Sequence, residues 1–365
     1  MINFNDPTKS GVHTSTKTLG KITEYFITVS LPIDNLQTML DLAYEKLVQS
    51  QANPIGQYIF APLAGNENVV LPTDRPVTWI DSGHARGSNL AGVYIHAITG
   101  VEVEKIENLG RTVACVYENQ DAKYCTMGDL RTEDASRSNV DQVADTFGLM
   151  ESVLQRAEMD FSHVCRTWLY LEEILDWYDD FNKARDNFFS SRKTFDILVP
   201  ASTGIGGANP AKAAMIAGAL AVKSKTDKFK AMEVDSPLQG SARDYGSSFS
   251  RAVELENSNS RWLSISGTAS IAPEGHTVHL DDIEKQVDLT MRVVTAIIES
   301  RNMQWSDVTR CFAYHKNADY LPVFENWLKA SGLEGLPIVF TENDVCRDDL
   351  LFELEVDAIV AKNKS

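Results

Sequence analysis

No stretch of this sequence is apolar for long enough to cross a bilayer, and its opening residues, MINFNDPTKSGVHTSTK, hold no leader-like apolar core. Neither membrane insertion nor export is expected. Basic residues are scarce: 34 Lys and Arg stand against 51 Asp and Glu, a net charge of −17. That balance argues against nucleic acid or an anionic membrane as the main partner. The five cysteines, Cys115, Cys125, Cys165, Cys311 and Cys346, are odd in number and free of CxxC spacing. A disulfide framework and a zinc site are therefore not indicated, and a reducing cytoplasm is the expected location. GxSxG, HExxH and protein-kinase signatures are missing. His276-x-x-His279 has no third ligand nearby and follows a Gly/Pro corner, so it reads as a loop with two ordinary histidines.

What is present is a chain of 365 residues, 43% hydrophobic, long enough for two or three modules with real cores. Its most conspicuous loop, PASTGIGGANPAK at 200–212, fails both phosphate-binding patterns. From Gly204 and Gly206 the sixth position of a dinucleotide fingerprint is Asn209, and Gly207 is separated from Lys212, which Ala213 follows. Two readings remain open: a tight turn between strands, or a nest of backbone N–H groups over 203–207 that takes a carboxylate.

The chain also resembles itself. Gln142/Gln286, Thr146/Thr290, Met159/Met303, Ser162/Ser306, Val164/Val308, Arg166/Arg310 and Tyr170/Tyr314 recur without a gap, a spacing that indicates duplicated domains and not a solenoid. Each copy opens with an amphipathic helix behind a cap signal, Ser138 with Asp141 and Asp281 with Glu284. A strand follows, CRTWLYL or TRCFAYH, then a second helix. Two strand candidates precede each first helix, TVACVYE with KYCTMGDL and SRAVELE with RWLSISGTASI. The segment AKAAMIAGALAVK looks helical by propensity, but it aligns with DDLLFELEVDAIV, whose alternation is that of a strand, and both are predicted as strands. Residues 1–103 suggest a further βαβ-like unit, with a helix around 35–51, in no clear register with the other two. Punctuation is expected at 72–76, 224–227 and 236–244.

Two hairpin strands, helix, strand, helix and final strand, carrying SISGTASI, RNMQWSDVTRCFAY and NDVCRDDLLFELEVDAI, resemble the RidA/YjgF superfamily, closely over 246–363 and more loosely over about 104–225. The two-copy chain, with RTWLYL followed by Tyr178, Phe181 and Arg185, then PASTGIG, and the 245–251 stretch before SISGTASI, is most similar to the chorismatase branch. The resemblance implies an α/β fold of tandem modules, each a mixed sheet with two helices on one face: an N-terminal α/β extension (1–103), a first module without an acid (104–235) and a second carrying Glu353 (236–365). It implies cleavage of the enolpyruvyl ether of chorismate or a related small carboxylate, with no metal or organic cofactor, and a homotrimer with clefts between modules.

Carried over residue by residue, the resemblance makes Glu353 the general acid, where the first copy has Ile216. Arg166 and Tyr170 would bind the substrate, although the matching Arg310 and Tyr314 leave a repeated structural pair as an alternative. Thr203 and Gly204 would meet a substrate carboxylate, Ser266 and Gly267 would let the ring approach, and Arg251 and Arg347 are further ligand candidates. The bland alternative for Glu353, Glu355 and Asp357 is one solvated strand face. Cys346 beside Arg347 is either a low-pKa thiol or a buried structural cysteine. Imine-deaminase RidA proteins hold substrate with an arginine where this chain has Ile338, and carry a tyrosine where it has Phe249; Glu342 would repel a dianion if it pointed inward. Imine or enamine hydrolysis and non-catalytic carboxylate binding stand as the competing functions.

Overall fold

The computed structural model describes residues 11–30, 35–83 and 90–362, without the side chain of Tyr245. Residues 1–10 of the opening stretch lie outside the described residues. Three mixed sheets follow one another along the chain, each with its helices on one face.

The second sheet holds β6 (Glu104–Asn108), β7 (Arg111–Glu118), β8 (Ala122–Leu130), β9 (Val164–Leu171), β10 (Ala201–Gly206) and β11 (Met215–Ser224). Helices α2 (Asn139–Arg156) and α3 (Ile174–Ser191) cover it. The third holds β12 (Lys230–Val234), β13 (Ala252–Glu256), β14 (Ser260–Ala269), β15 (Val308–His315), β16 (Ile338–Glu342) and β17 (Phe352–Ala361), under α4 (Ile283–Ser300) and α5 (Leu321–Ala330). The strand orders β10-β9-β11-β8-β7-β6 and β16-β15-β17-β14-β13-β12 are the same, as duplication requires. The helix α2 is capped by Ser138, which accepts from the N–H of Asp141 as expected; α4 is capped one residue later than expected, by Asp282 on Lys285.

The alanine-rich β11 is a strand despite its helix propensity. Ala217, Ala219 and Ala221 lie under the helices, where small side chains let α2 come close, while Ile216, Leu220 and Val222 face the opposite way into the centre of the molecule. Packing on both faces overrides propensity here.

Two expectations need correction. The N-terminal segment is no mere extension: β1 (Val12–Leu19), β2 (Ile22–Val29), β3 (Asn53–Phe60), β4 (Val77–Ile80) and β5 (Gly92–Thr99) form a sheet in the order β1-β2-β5-β3-β4, with α1 (Leu36–Ser50) on one face. That is the order of the other two less one edge strand, and among the described residues no second helix lies between β3 and β4. The boundary between the later modules also falls earlier than 235, since β12 pairs with β13 of the third sheet.

The helix-free faces of the three sheets meet in one core. Ladder register makes Phe60, Tyr170 and Tyr314 equivalent, for they pair with Gly92, Ile216 and Glu353 respectively. The Phe60 ring lies 5.8 Å from Tyr170 and 5.9 Å from Tyr314, and the two tyrosine hydroxyls are 3.2 Å apart. Tyr58, Trp168 and Phe312 form a second such layer, with Tyr58 5.7 and 5.6 Å from the other two. One chain thus encloses a pseudo-threefold axis.

At one end of the axis the chain segments after β4, β10 and β16 clasp one another. Asp81 N–H donates to Ala208 O, Gly206 N–H to Asp344 O and Gly83 N–H to Glu342 O, while the Asn343 amide donates to both Asp81 O and Gly206 O. A Cβ at Gly207 would come within 2.4 Å of Ile80 Cγ2. Gly207→Ala is therefore expected to destabilise the fold by about 1–3 kcal/mol, read as a lowered denaturation midpoint.

Candidate active site

Of the three equivalent positions Gly92, Ile216 and Glu353, one carries a carboxyl group. Edge strand β10 of the second module packs against β14 of the third and forms the cleft in which this carboxyl lies. Ser250 N–H donates to Pro200 O, Ser202 N–H to Ser266 Oγ at 2.8 Å and Gly267 N–H to Thr203 Oγ1 at 3.0 Å. The partners of the cleft thus come from two modules of the same chain.

Glu353, Glu355 and Asp357 do share one face of β17, but they are buried, not solvated. The β14–β17 ladder shifts register between Ile265 and Thr268, a bulge that places Ser266 and Gly267 opposite the middle of this acidic row. The Glu353 carboxyl occupies the place of the missing side chain of Gly267: a Cβ there would stand 1.9 Å from its Oε1. Burial raises the pKa of Glu353 to about 8; the negative charge of Glu355 adds to the rise, against the opposing pull of Arg166 and Arg251. A carboxyl in this state is predominantly protonated at neutral pH, which is what a general acid needs.

Glu355, wholly buried, is the hub beside it. It accepts from Arg166 Nη2 at 2.7 Å, Trp168 Nε1 at 3.0 Å and Arg310 Nη1 at 2.6 Å. Arg310 Nε reaches Asp357 at 2.8 Å, and Ser264 closes the row on Asp357. Arg166 Nη2 also donates to Thr203 Oγ1 at 2.5 Å, while its Nε and Nη1 are buried and have no protein acceptor. Thr203 Oγ1, already accepting from Arg166 and from Gly267 N–H, keeps its own proton to donate.

The other expected residues are distributed as follows. Gly204 and Gly267 are half-buried and open the cleft; Tyr178 of α3, one residue past the helix kink at Trp177, puts its hydroxyl 3.7 Å from where a Cβ of Gly204 would be. Ser266 is fully buried and cross-links the modules by donating to Ser250 O and accepting from Ser202 N–H. Tyr170 is fully buried on the axis, its hydroxyl 3.2 Å from that of its counterpart Tyr314. Arg251 is buried, stacks 5.5 Å from the Phe249 ring and donates to Gly240 O. Arg347 donates to Gly275 O and so ties down the loop that contains His276 and His279. Among the described residues no group of three or more metal-ligating side chains forms. Glu342 sits at a different junction, where Ser82 and Gly83 of the first module meet β16.

The glycine loop is not an anion nest. Residues 201–206 are a β-strand, none of Gly204, Gly206 and Gly207 is left-handed, and the N–H groups of Gly206 and Gly207 bond to Asp344 O and Leu171 O. Nor is Cys346 a low-pKa thiol: burial pushes it up to about 12, and it is hydrogen-bonded to Tyr178. Ile338 belongs to the apolar core, and the Arg166 guanidinium of the neighbouring module reaches Thr203 beside Glu353. Trp168 and Glu355 were missed as partners. Their signal, an indole and a second carboxylate at period two from Arg166 and Glu353, was visible only as strand alternation.

Gly267→Ala is expected to displace the Glu353 carboxyl and reduce turnover at least tenfold. Glu353→Gln is expected to stabilise the protein increasingly at alkaline pH. The folded pKa of about 8 lies above the ordinary value of about 4.3, so the folded state binds the extra proton and stability falls as pH rises from the ordinary carboxylate range through about 8. The difference in melting temperature between variant and wild type should widen from pH 5 to pH 9.

Comparison with known proteins bears on the fold. No family model matches the chain. The 3-hydroxybenzoate synthase of Streptomyces hygroscopicus is 26% identical over 227 residues, 54% of this chain and 64% of that protein. A crystal structure of a chorismatase superposes with a TM-score of 0.66 over 94% of this chain and 99% of its own, at 17% identity. RidA from an Antarctic Psychrobacter covers 35% of this chain and 99% of its own with a TM-score of 0.30 at 17% identity. This chain has the fold of that chorismatase, built from modules of repeated strand order.

Proposed function

We propose that the protein is a chorismatase-like enzyme that cleaves the enolpyruvyl ether of chorismate without a cofactor, with Glu353 as the general acid. The observation that carries this reading is a buried carboxyl, its pKa raised to about 8, beside an arginine with two donors unmatched by the protein. An enol ether is protonated on its methylene carbon, and the carboxylic acid form of Glu353 supplies that proton. The resulting oxocarbenium carbon bears the pyruvyl carboxylate. Water adds to it, returns a proton to the Glu353 carboxylate, and the hemiketal collapses to pyruvate and a ring diol. Loss of water from the diol would give a hydroxybenzoate, and the name of the Streptomyces relative makes 3-hydroxybenzoate the first aromatic product to seek.

Arg166 Nε and Nη1 and the Thr203 hydroxyl are the donors for a substrate carboxylate. The half-buried Gly204 leaves room for the ring beside Tyr178, and the space over Gly267 is taken by the Glu353 carboxyl that would meet it. The imine-deaminase alternative lacks its own carboxylate-holding arginine, since Ile338 is a core residue. A cytoplasmic, cofactor-independent enzyme fits the composition. Its clefts lie between modules of one chain, so a single chain supplies both sides of the site; assembly into a homotrimer remains part of the proposal.

Pyruvate release from chorismate, followed by coupling to lactate dehydrogenase, tests the reading. Wild type is expected to release pyruvate, with kcat falling as pH rises through about 8 as Glu353 loses its proton. Glu353→Gln should lose at least a hundredfold in kcat while still binding chorismate. Turnover by neither, or equal turnover by both, would overturn the assignment.

A further inference from the structure

Among the buried charges of the second and third modules, Glu355 is the one that touches both halves of the proposed chemistry. It lies two residues from Glu353 on the same strand face, and three donors from β9 and β15 converge on it. Two guanidinium groups and an indole N–H all donate to it. Its neighbours differ in what they can do. Arg310 is committed to Glu355 and Asp357, whereas Arg166 is held by one nitrogen only, through Glu355 and Thr203.

We infer that Glu355 is the positioning residue of this site: it anchors Arg166 by Nη2, so that Nε and Nη1 remain for the substrate carboxylate, and it places a negative charge beside Glu353 against those of Arg166 and Arg251. This rests on the proposed chemistry at Glu353 and extends it to the state in which that acid waits for substrate. The groups around Glu353 are Glu355 on its own strand, Arg166 from β9, Arg251 ahead of β13, Tyr314 on β15, and Tyr178 and Cys346 from α3 and the loop before β17. Of these, Glu355 alone adds negative charge, and it opposes two arginines that favour ionisation. The arrangement resolves a conflict of requirements. A dianionic substrate needs cations nearby, and cations alone would strip the acid of its proton. A carboxylate shared between Arg166 and Arg310 cancels that effect without blocking the open side of Arg166.

The test follows Glu353 titration in ligand-free protein by carboxyl 13C NMR, the signal being assigned by its loss in Glu353→Gln. Glu355→Gln is expected to lower the Glu353 midpoint by about one pH unit or more and to weaken chorismate binding about tenfold. Arg310→Gln should do the opposite to the midpoint, raising it, because it leaves the charge of Glu355 less compensated. Glu355→Asp keeps the charge but withdraws it from Arg166; it should hold the midpoint near that of wild type while chorismate binding weakens. Midpoints unmoved in Glu355→Gln and Arg310→Gln, or wild-type binding in Glu355→Asp, would overturn the inference. Because the titration needs no ligand, shifted midpoints without any turnover of chorismate would support the role of Glu355 and reject only the substrate.

Discussion

The structure depends on how four buried charges are paired where the second and third sheets meet. Arg166, Arg310, Glu355 and Asp357 are all at most 3% exposed, and the two carboxylates between them accept every strong bond that the two guanidinium groups make to acids. Buried charges without partners are strongly destabilising, by about 3–5 kcal/mol when one member of a pair is removed. Arg166 belongs to one module and the other three residues to the next, so the modules can dock in one register only. Trp168 stacks with both arginines at 5.0 Å and donates to Glu355, which seals the cluster from water.

Around that pairing the pseudo-threefold axis has diverged in a way that physical size explains. The positions equivalent to Arg166 and Arg310 hold a glycine in the first module, Gly56, and those equivalent to Glu355 hold Tyr94 and Gly218. The first module contributes rings and no charges to these two layers, and Gly218 is required because its Cβ would stand 2.4 Å from the Tyr58 hydroxyl. At the acid position, Gly92 faces Val339 of β16, where a Cβ would be only 2.6 Å from Cγ1. At the acid position two of the three junctions are filled with apolar packing, and the third keeps an acid, an arginine and the half-buried Gly204. Of the three equivalent positions one carries an acid.

Much of this was legible in the sequence. The duplication of Gln142 to Tyr170 in Gln286 to Tyr314 gave the order of elements, and the alternation of Leu350 to Asp357 identified β17 and, by alignment, the alanine-rich β11. The presence of one acid was also legible, from Glu353 lying over Ile216. The first module was not recognised as a copy because what it shares is strand order, while its edge strand, its second helix and its charged residues are gone. The glycines of 204–207 admit both a turn and a carboxylate nest, because sequence shows small residues without showing what approaches them; Ile80, Asn343 and Asp344 do.

The sequence by itself determined the periodicities, caps and repeated pattern that fold each module, because these depend on neighbours three or four residues apart or on the alternation of a single strand. It also determined which residues can carry charge. Only the tertiary structure decided which way those charges act: that burial raises the pKa of Glu353, that Arg166 leaves two nitrogens and Arg310 one without a protein acceptor, and that Tyr170 packs on the axis. Those outcomes follow from burial and from contacts between modules, where residues more than a hundred positions apart come within hydrogen-bonding distance.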